Sequence, residues 1–320
     1  MHSVDASGRS LGRRLSYTWL LFVGLCPVIL RAQTIEDGLM IPGRTLFTGF
    51  LYSHDKWDHY WEGTLKRVNG NIGAITTRTS TWTANFGVTN RLNVIANIPY
   101  VSTDASQGVL KGQNGWQDIT LAAKYRIITR PVTKLGALSV IGVAFGGFPL
   151  TDYVPDFQPL SIGLGSRRVG GRLTANYQSQ AGWFLNGTAA YTWRGNVTLD
   201  RPYYFTNDHL FLTDNVPMPD VVDYTLAPGY LKKGRMFQAM FTKQITQGGG
   251  DIRRQDAPFV SNRFLYSRIG AMVMYPIPIQ RLRSLSLRFD VGHVIDGRNV
   301  GQSTTLTFGL METLSLKRSH

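Results

Sequence analysis

The chain has 320 residues, 34 basic against 20 acidic side chains, a net charge of +14 and one cysteine. This length permits one large or two ordinary domains with a sizeable interior, and a single cysteine rules out a disulfide framework. The basic residues are scattered rather than gathered in a helix or tail, which argues against a nucleic-acid partner.

Residues 1–32 read as an export signal. Arg9, Arg13 and Arg14 form a basic start, Leu15 to Leu30 an apolar core, and Ala32 a small residue at the expected cleavage point. The core is too short and too abruptly ended for a spanning helix, which needs about 20 apolar residues. Bulky Leu25 before Cys26 departs from a lipoprotein signal, so Cys26 is expected to leave with the signal peptide. Cleavage leaves 33–320 as a single domain without cysteine, with no thiol catalysis, disulfides or Cys-ligated metal. It also leaves 30 basic against 19 acidic residues, a net of +11. Mean hydropathy is near neutral, and no later run approaches a spanning helix in length. If this chain crosses a membrane, it does so with strands.

Period-two runs fill the rest of the chain. They lie near 44–54, 72–86, 90–103, 115–128, 134–147, 167–180, 182–196, 218–232, 234–246, 263–277, 282–294 and 303–316. In the hairpin ANFGVTNRLNVIANIPYV, Leu92, Val94, Ala96, Ile98 and Tyr100 share one face, with Asn93 and Asn97 opposite. In DITLAAKYRI the apolar face is Ile119, Leu121, Ala123, Tyr125 and Ile127, with Lys124 and Arg126 on the other side. Near the end, Leu306, Phe308, Leu310 and Leu314 alternate with Thr305, Thr307, Gly309 and Thr313.

The links between runs alternate in length. Long loops at 55–71, 104–114, 148–166, 197–217 and 247–262 are separated by tight turns at Gly87–Asn90, Arg130–Pro131, Gln180–Ala181, Lys233–Gly234 and Pro278–Arg281. An up-and-down antiparallel barrel of about twelve strands places all short links at one rim, as in outer-membrane barrels with short periplasmic turns and long external loops. Lipid tolerates no unpaired backbone, so such a barrel must close. Aromatics towards run ends, among them Tyr52, Trp57, Trp82, Phe86, Tyr100, Trp116, Trp183, Trp193 and Tyr275, suit two interfacial girdles. The alternative is a soluble all-β protein, but a twelve-strand interior is wide to fill with such faces.

The hairpin and the following GWQDITLAAKYRI resemble the bacterial outer-membrane family named after the meta-pathway of phenol degradation. Gly87, Thr89, Asn90, Arg91, Pro99, Tyr100, Asp118, Lys124 and Tyr125 carry the match, over roughly residues 84–128. The resemblance implies a barrel in the bacterial outer membrane that serves as a channel or transporter and is associated with aromatic catabolism. The chain departs from common barrel practice at its end, Leu316-Lys317-Arg318-Ser319-His320, which lacks a terminal aromatic.

With apolar faces outward, Lys124, Arg126, Arg172, Arg194, Lys243, Arg268 and Arg288 are expected to line the lumen, with Asp290 as a partner. A basic lumen eases the passage of anions; the same residues can equally form salt bridges that fill a narrow barrel. In the 197–217 loop, Tyr203, Tyr204, Phe205, His209 and Phe211 are candidates for a constriction if folded inward, or for a surface loop if not. His54-Asp55-Lys56-Trp57-Asp58-His59 matches no strong metal motif, so neither a metal nor a cofactor is expected. The expected function is an outer-membrane channel for small solutes, aromatic or acidic. Its expected partners are membrane lipid, the barrel-assembly machinery and the solute, and the number of copies is left open. A structural or adhesive barrel, or a lipid hydrolase using His293, is the alternative; the latter lacks a recognisable nucleophile pattern.

Overall fold

β-branched and aromatic residues in strict alternation favour a pleated backbone with two unlike faces. Each of the twelve runs becomes a strand in the computed structural model, which describes residues 35–206, 208–253 and 258–316. The expected export signal lies outside the described residues. The strands are β1 (Thr45–Trp57), β2 (Ile75–Gly87), β3 (Leu92–Ala105), β4 (Asp118–Thr133), β5 (Gly136–Pro149) and β6 (Arg168–Ser179). They continue with β7 (Trp183–Arg194), β8 (Val221–Lys232), β9 (Arg235–Thr246), β10 (Leu265–Pro276), β11 (Leu285–Arg298) and β12 (Thr304–Ser315). Each pairs antiparallel with the next, and β1 also pairs with β12, from Thr45 opposite Ser315 to Lys56 opposite Thr304. The sheet is therefore a closed barrel of twelve strands. Among the described residues no helix is long and apolar enough to cross a membrane.

The strand ends follow the sequence pattern except at β11, which runs past 294 to Arg298, and at β4, which continues past 128 to Thr133 and so takes in the expected turn at Arg130–Pro131. The pairing with β5 slips between Arg126 and Ile128 and again between Pro131 and Thr133. A slip there accommodates Pro131, which has no N–H to offer the ladder.

Side-chain parity gives the two surfaces. On β3, Asn93 is fully buried while its neighbour Val94 is 45% exposed. On the outer surface Phe50, Phe308 and Leu310 are all largely uncovered. So continuous an apolar exterior is foreign to a soluble monomer and suits hydrocarbon. Aromatic pairs mark both rims. Trp183 meets Tyr230 at 5.1 Å and Arg235 lies 4.9 Å over Tyr275 at the short-turn end. Tyr100 meets Trp116 at 5.4 Å, and Tyr191 meets Trp193 at 4.8 Å, at the long-loop end.

Short turns include Lys233–Gly234, both left-handed (φ 51° and 79°), the geometry of a two-residue hairpin turn. The long links fold on themselves. One contains the ribbon His59–Glu62 with Leu65–Val68, another Tyr204–Thr206 with His209–Phe211. Their apolar residues Val197, Leu199, Tyr204, Val216, Met218, Phe259 and Val260 form a separate core outside the barrel.

An arginine at Leu310, mid-strand on the lipid face, should destabilise the folded barrel by about 2–4 kcal/mol. Thr307→Val, facing inward, should change stability far less. Denaturant unfolding in lipid, read by heat-dependent gel mobility, distinguishes them, and equal effects at the two sites would contradict the assignment of faces.

Candidate functional site

The lumen is filled from one end by the chain's own Ile35–Arg44. The segment enters at the short-turn rim, where the Arg44 N–H donates to the Gly87 carbonyl (2.6 Å) and the Gly43 N–H to Asn90 Oδ1 (2.9 Å). Arg44 takes a left-handed conformation (φ 59°) to turn from the lumen into β1. Above it, the Asn93 carboxamide reaches both the N–H and the carbonyl of Ile41 (2.8 and 3.3 Å). Leu39 and Ile41 pack against Phe47, Phe184, Met236, Met272, Met274 and Met311, which come from β1, β7, β9, β10 and β12 on one side of the wall. Met40 packs against Ile95, Ala122, Ile141 and Val143 on the β3–β5 side. Gly38 fits so closely that a Cβ there would overlap the side chains of Asn176 and Asn186. Sequence alone gives this segment no role. Its only signal was an acidic pair followed by Leu39-Met40-Ile41 in a basic chain.

Beyond the apolar half, the segment meets a charged belt. Lys124 Nζ donates to Asp37 Oδ1 at 2.8 Å, with side chains 0% and 5% exposed. A buried ammonium without that carboxylate would carry an uncompensated desolvation cost of several kcal/mol. Pairing registers set the belt: Lys124 faces Val143, Val143 faces Arg172, Arg172 faces Ala190, and Ala190 faces Asp223. The row continues through Gln244 to Tyr266, whose hydroxyl donates to Gln244 Oε1 (2.8 Å). Arg172 lies 3.9 Å from Glu36 on the inserted segment. Arg194 points inward on β7, as do Arg126 on β4 and Arg268, whose guanidinium covers Gly292. Arg288 holds Asp290 through two bonds of 2.8 and 2.7 Å.

Lys243 is a correction. It is exposed and shares its parity with Phe237 and Phe241 on the outer surface, whereas Met236 and Gln238 face in. Its charge suggested an inward side chain, but it lies three residues from the β9 end, where a long stem reaches the headgroup layer. Within the lumen Glu36, Asp37, Asp223 and Asp290 interleave with the cations.

The outer mouth is narrowed by the 150–167 loop. Tyr153 Oη donates to Asp118 Oδ1 (2.5 Å) and accepts from the Gly165 N–H (2.9 Å), while Arg168 bonds Asp118 (3.1 Å) and Thr120 (2.9 Å). Burial, then the Asp118 carboxylate, pushes the Tyr153 phenol well above its usual range, so it stays a donor. Thr103 Oγ1 donates to the Leu160 carbonyl (2.5 Å), with Leu160 and Ile162 buried. The 197–217 candidates lie elsewhere. Tyr204 is stacked between Phe211 (4.9 Å) and Phe259 (5.3 Å) in the loop core, and Tyr203, Phe205, His209 and Phe211 are exposed. In the His54–His59 run, Asp55 turns inward to accept from Thr305 (2.5 Å) and His59 pairs with Asp58 (2.7 Å).

Over residues 65–309 the sequence matches the family model described as "Putative MetA-pathway of phenol degradation". The chain belongs to this family. The COG4313 outer membrane channel from Pseudomonas putida F1 has a similar fold, with a TM-score of 0.64 at 14% identity, covering 89% of this chain and 100% of that one. The NanC porin (TM-score 0.45, 9% identity, 82% and 100% covered) and OccD3 of Pseudomonas aeruginosa (0.39, 9%, 91% and 97%) are more distant. A comparison with curated proteins finds no match. In this member of the phenol-degradation family the motif residues have concrete tasks. Thr89 Oγ1 accepts the N–H of Arg91 (3.1 Å) and Leu92 (3.0 Å), Asn90 seats the inserted segment, Asp118 latches the outer loop and Lys124 holds Asp37.

Asp37→Asn should weaken seating of Ile35–Ile41 by about 3–5 kcal/mol, because Lys124 would be left buried without its counter-charge. Limited proteolysis followed by mass spectrometry should then cut residues 35–41 in the variant and spare them in the parent. Outside the membrane, the Arg298 guanidinium and then the Asn299 amide hold Asp251 down to about 2. Being depressed, this carboxylate contributes stability that is complete above about pH 4 and lost as pH falls through about 2. The pair is a third exposed (31% and 35%), so its worth is below about 1 kcal/mol. Hydrogen exchange in the 247–253 stretch should lose protection between pH 4 and 2, and Asp251→Asn should remove that dependence.

Proposed function

We propose that the protein is an outer-membrane channel for small solutes, closed at rest by its own Ile35–Ile41 segment. It reaches the membrane as a 33–320 chain after cleavage following Ala32, with the barrel-assembly machinery inserting it. The observation that carries this reading is the manner of closure. The inserted segment contributes no strand to the wall; it is held by side chains, by Asn93 and Asn90, and by the Asp37–Lys124 pair. Its departure therefore leaves all twelve strand pairings intact. The fold shared with a protein described as an outer membrane channel supports the same reading.

The solutes are small aromatic or acidic molecules. Met236, Met240, Met272, Met274 and Met311 line the half of the lumen that Leu39 and Ile41 vacate. Thioethers are polarizable, flexible and favour contact with aromatic rings. The arginines of the belt supply the attraction for an acidic group.

Planar-bilayer recording tests this. The parent should show brief, small openings, and a variant lacking residues 35–41 should show a stable, larger conductance. A deletion variant that keeps heat-dependent gel mobility yet conducts nothing would leave a structural barrel. Release of fatty acid from lipid by the parent would favour a hydrolase.

A further inference from the structure

We infer that Arg172 and Arg194 form a binding site for the carboxylate of a small organic acid, and that Glu36 of the inserted segment stands in for that carboxylate at rest. This deepens the channel reading and rests on it for the direction from which the acid arrives.

The first support is unsatisfied chemistry. The Arg172 side chain is only 8% exposed, and its Nε is buried with no hydrogen-bond partner among the described residues; Arg194 Nη1 is likewise buried and unpartnered among them. Buried guanidinium N–H groups are nearly always paired, because leaving one bare forfeits its hydration without return. The Arg172–Glu36 separation of 3.9 Å is an ion contact, too long for a hydrogen bond. Glu36 supplies charge to this place but leaves donors open there.

The second support is the row itself. On it Arg172 is flanked by Val143 and Ala190, and Ala190 separates it from Asp223. Neither flanking side chain carries a polar atom, so the row supplies the guanidinium with no adjacent acceptor.

The third support is charge balance. Asp223 lies within Coulombic reach of Arg172, Arg194 and Glu36. Departure of Glu36 removes one negative charge from beside Arg172, and a monoanion replaces that charge where a neutral or cationic molecule does not. A guanidinium accepts a planar carboxylate through two parallel bonds, which also selects this anion class.

The fourth is polarity. The segment enters from the periplasmic rim at Arg44, and its Glu36 contact with Arg172 lies towards the far end from that rim. Binding and unseating are thus one exchange: the acid's carboxylate replaces that of Glu36, and the segment loses one of its attachments to the belt.

The test uses the whole protein in detergent and isothermal titration with benzoate, benzyl alcohol and phenyl phosphate. Benzoate should bind at least about tenfold more tightly than benzyl alcohol. Arg172→Gln and Arg194→Gln should each remove about tenfold of that preference. Arg172→Lys, which keeps the charge but not the fork, should lose part of it. Glu36→Gln, which alters only the inserted segment, should tighten benzoate binding and speed proteolysis of residues 35–41. Equal binding of benzoate and benzyl alcohol, no effect of either glutamine variant while gel mobility shows a folded barrel, or preference for phenyl phosphate would overturn the inference. Benzoate binding in a barrel that conducts nothing would instead remove the channel reading and keep the site.

Discussion

The β1–β12 seam is the constraint on which the rest depends. Hydrocarbon offers no partner to a backbone N–H or carbonyl, so an open sheet edge cannot persist in the membrane. The twelve pairs from Thr45–Ser315 to Lys56–Thr304 remove the last edge. Closure then fixes everything inside. A slip of one residue would exchange the lumen and lipid faces of a whole strand, so each inward residue belongs to a definite row. That is why Lys124, Arg172 and Asp223 share one pairing row although they are far apart in sequence.

Twelve strands also create a difficulty of size. Eight-stranded barrels fill their interior with side chains from the wall, and sixteen-stranded ones hold water. The interior here is intermediate, and the wall alone does not fill it. On the periplasmic side Leu39, Met40 and Ile41 complete the packing as an axial strut inside a sleeve of methionine and phenylalanine. Further out, where an apolar strut would meet arginine, the segment switches to Glu36 and Asp37. The order of residues along the segment thus mirrors the order of environments along the axis.

The barrel was readable from sequence because its signal is local and repeated. Alternation of Leu92, Val94 and Ala96 with Asn93, Ile95 and Asn97 needs only neighbouring residues, and the alternation of loop lengths needs only counting. What was not readable depends on distant pairings. Asp37 and Lys124 are 87 positions apart, and nothing near either one announces the other. Asp118 and Tyr153 join a loop to the mouth across 35 positions, so the constriction was sought in the aromatic 197–217 loop rather than in 150–167. Lys243 was misplaced for a different reason. A charge near a strand end obeys the interface rather than the inside-outside rule, and the apolar parity of Phe237 and Phe241 was the better guide.

The inserted segment remains covalently joined to β1 through Gly43 and Arg44. An unseated segment does not diffuse away; it stays on a tether of a few residues at the rim. A short flexible tether holds its load at an effective concentration of about millimolar, whatever the abundance of the protein. A solute competing for the belt therefore contends with a rival that dilution cannot remove. On the proposed closure such a rival raises the solute's apparent dissociation constant by a fixed factor, so occupancy keeps its hyperbolic form and is only shifted to higher solute concentration.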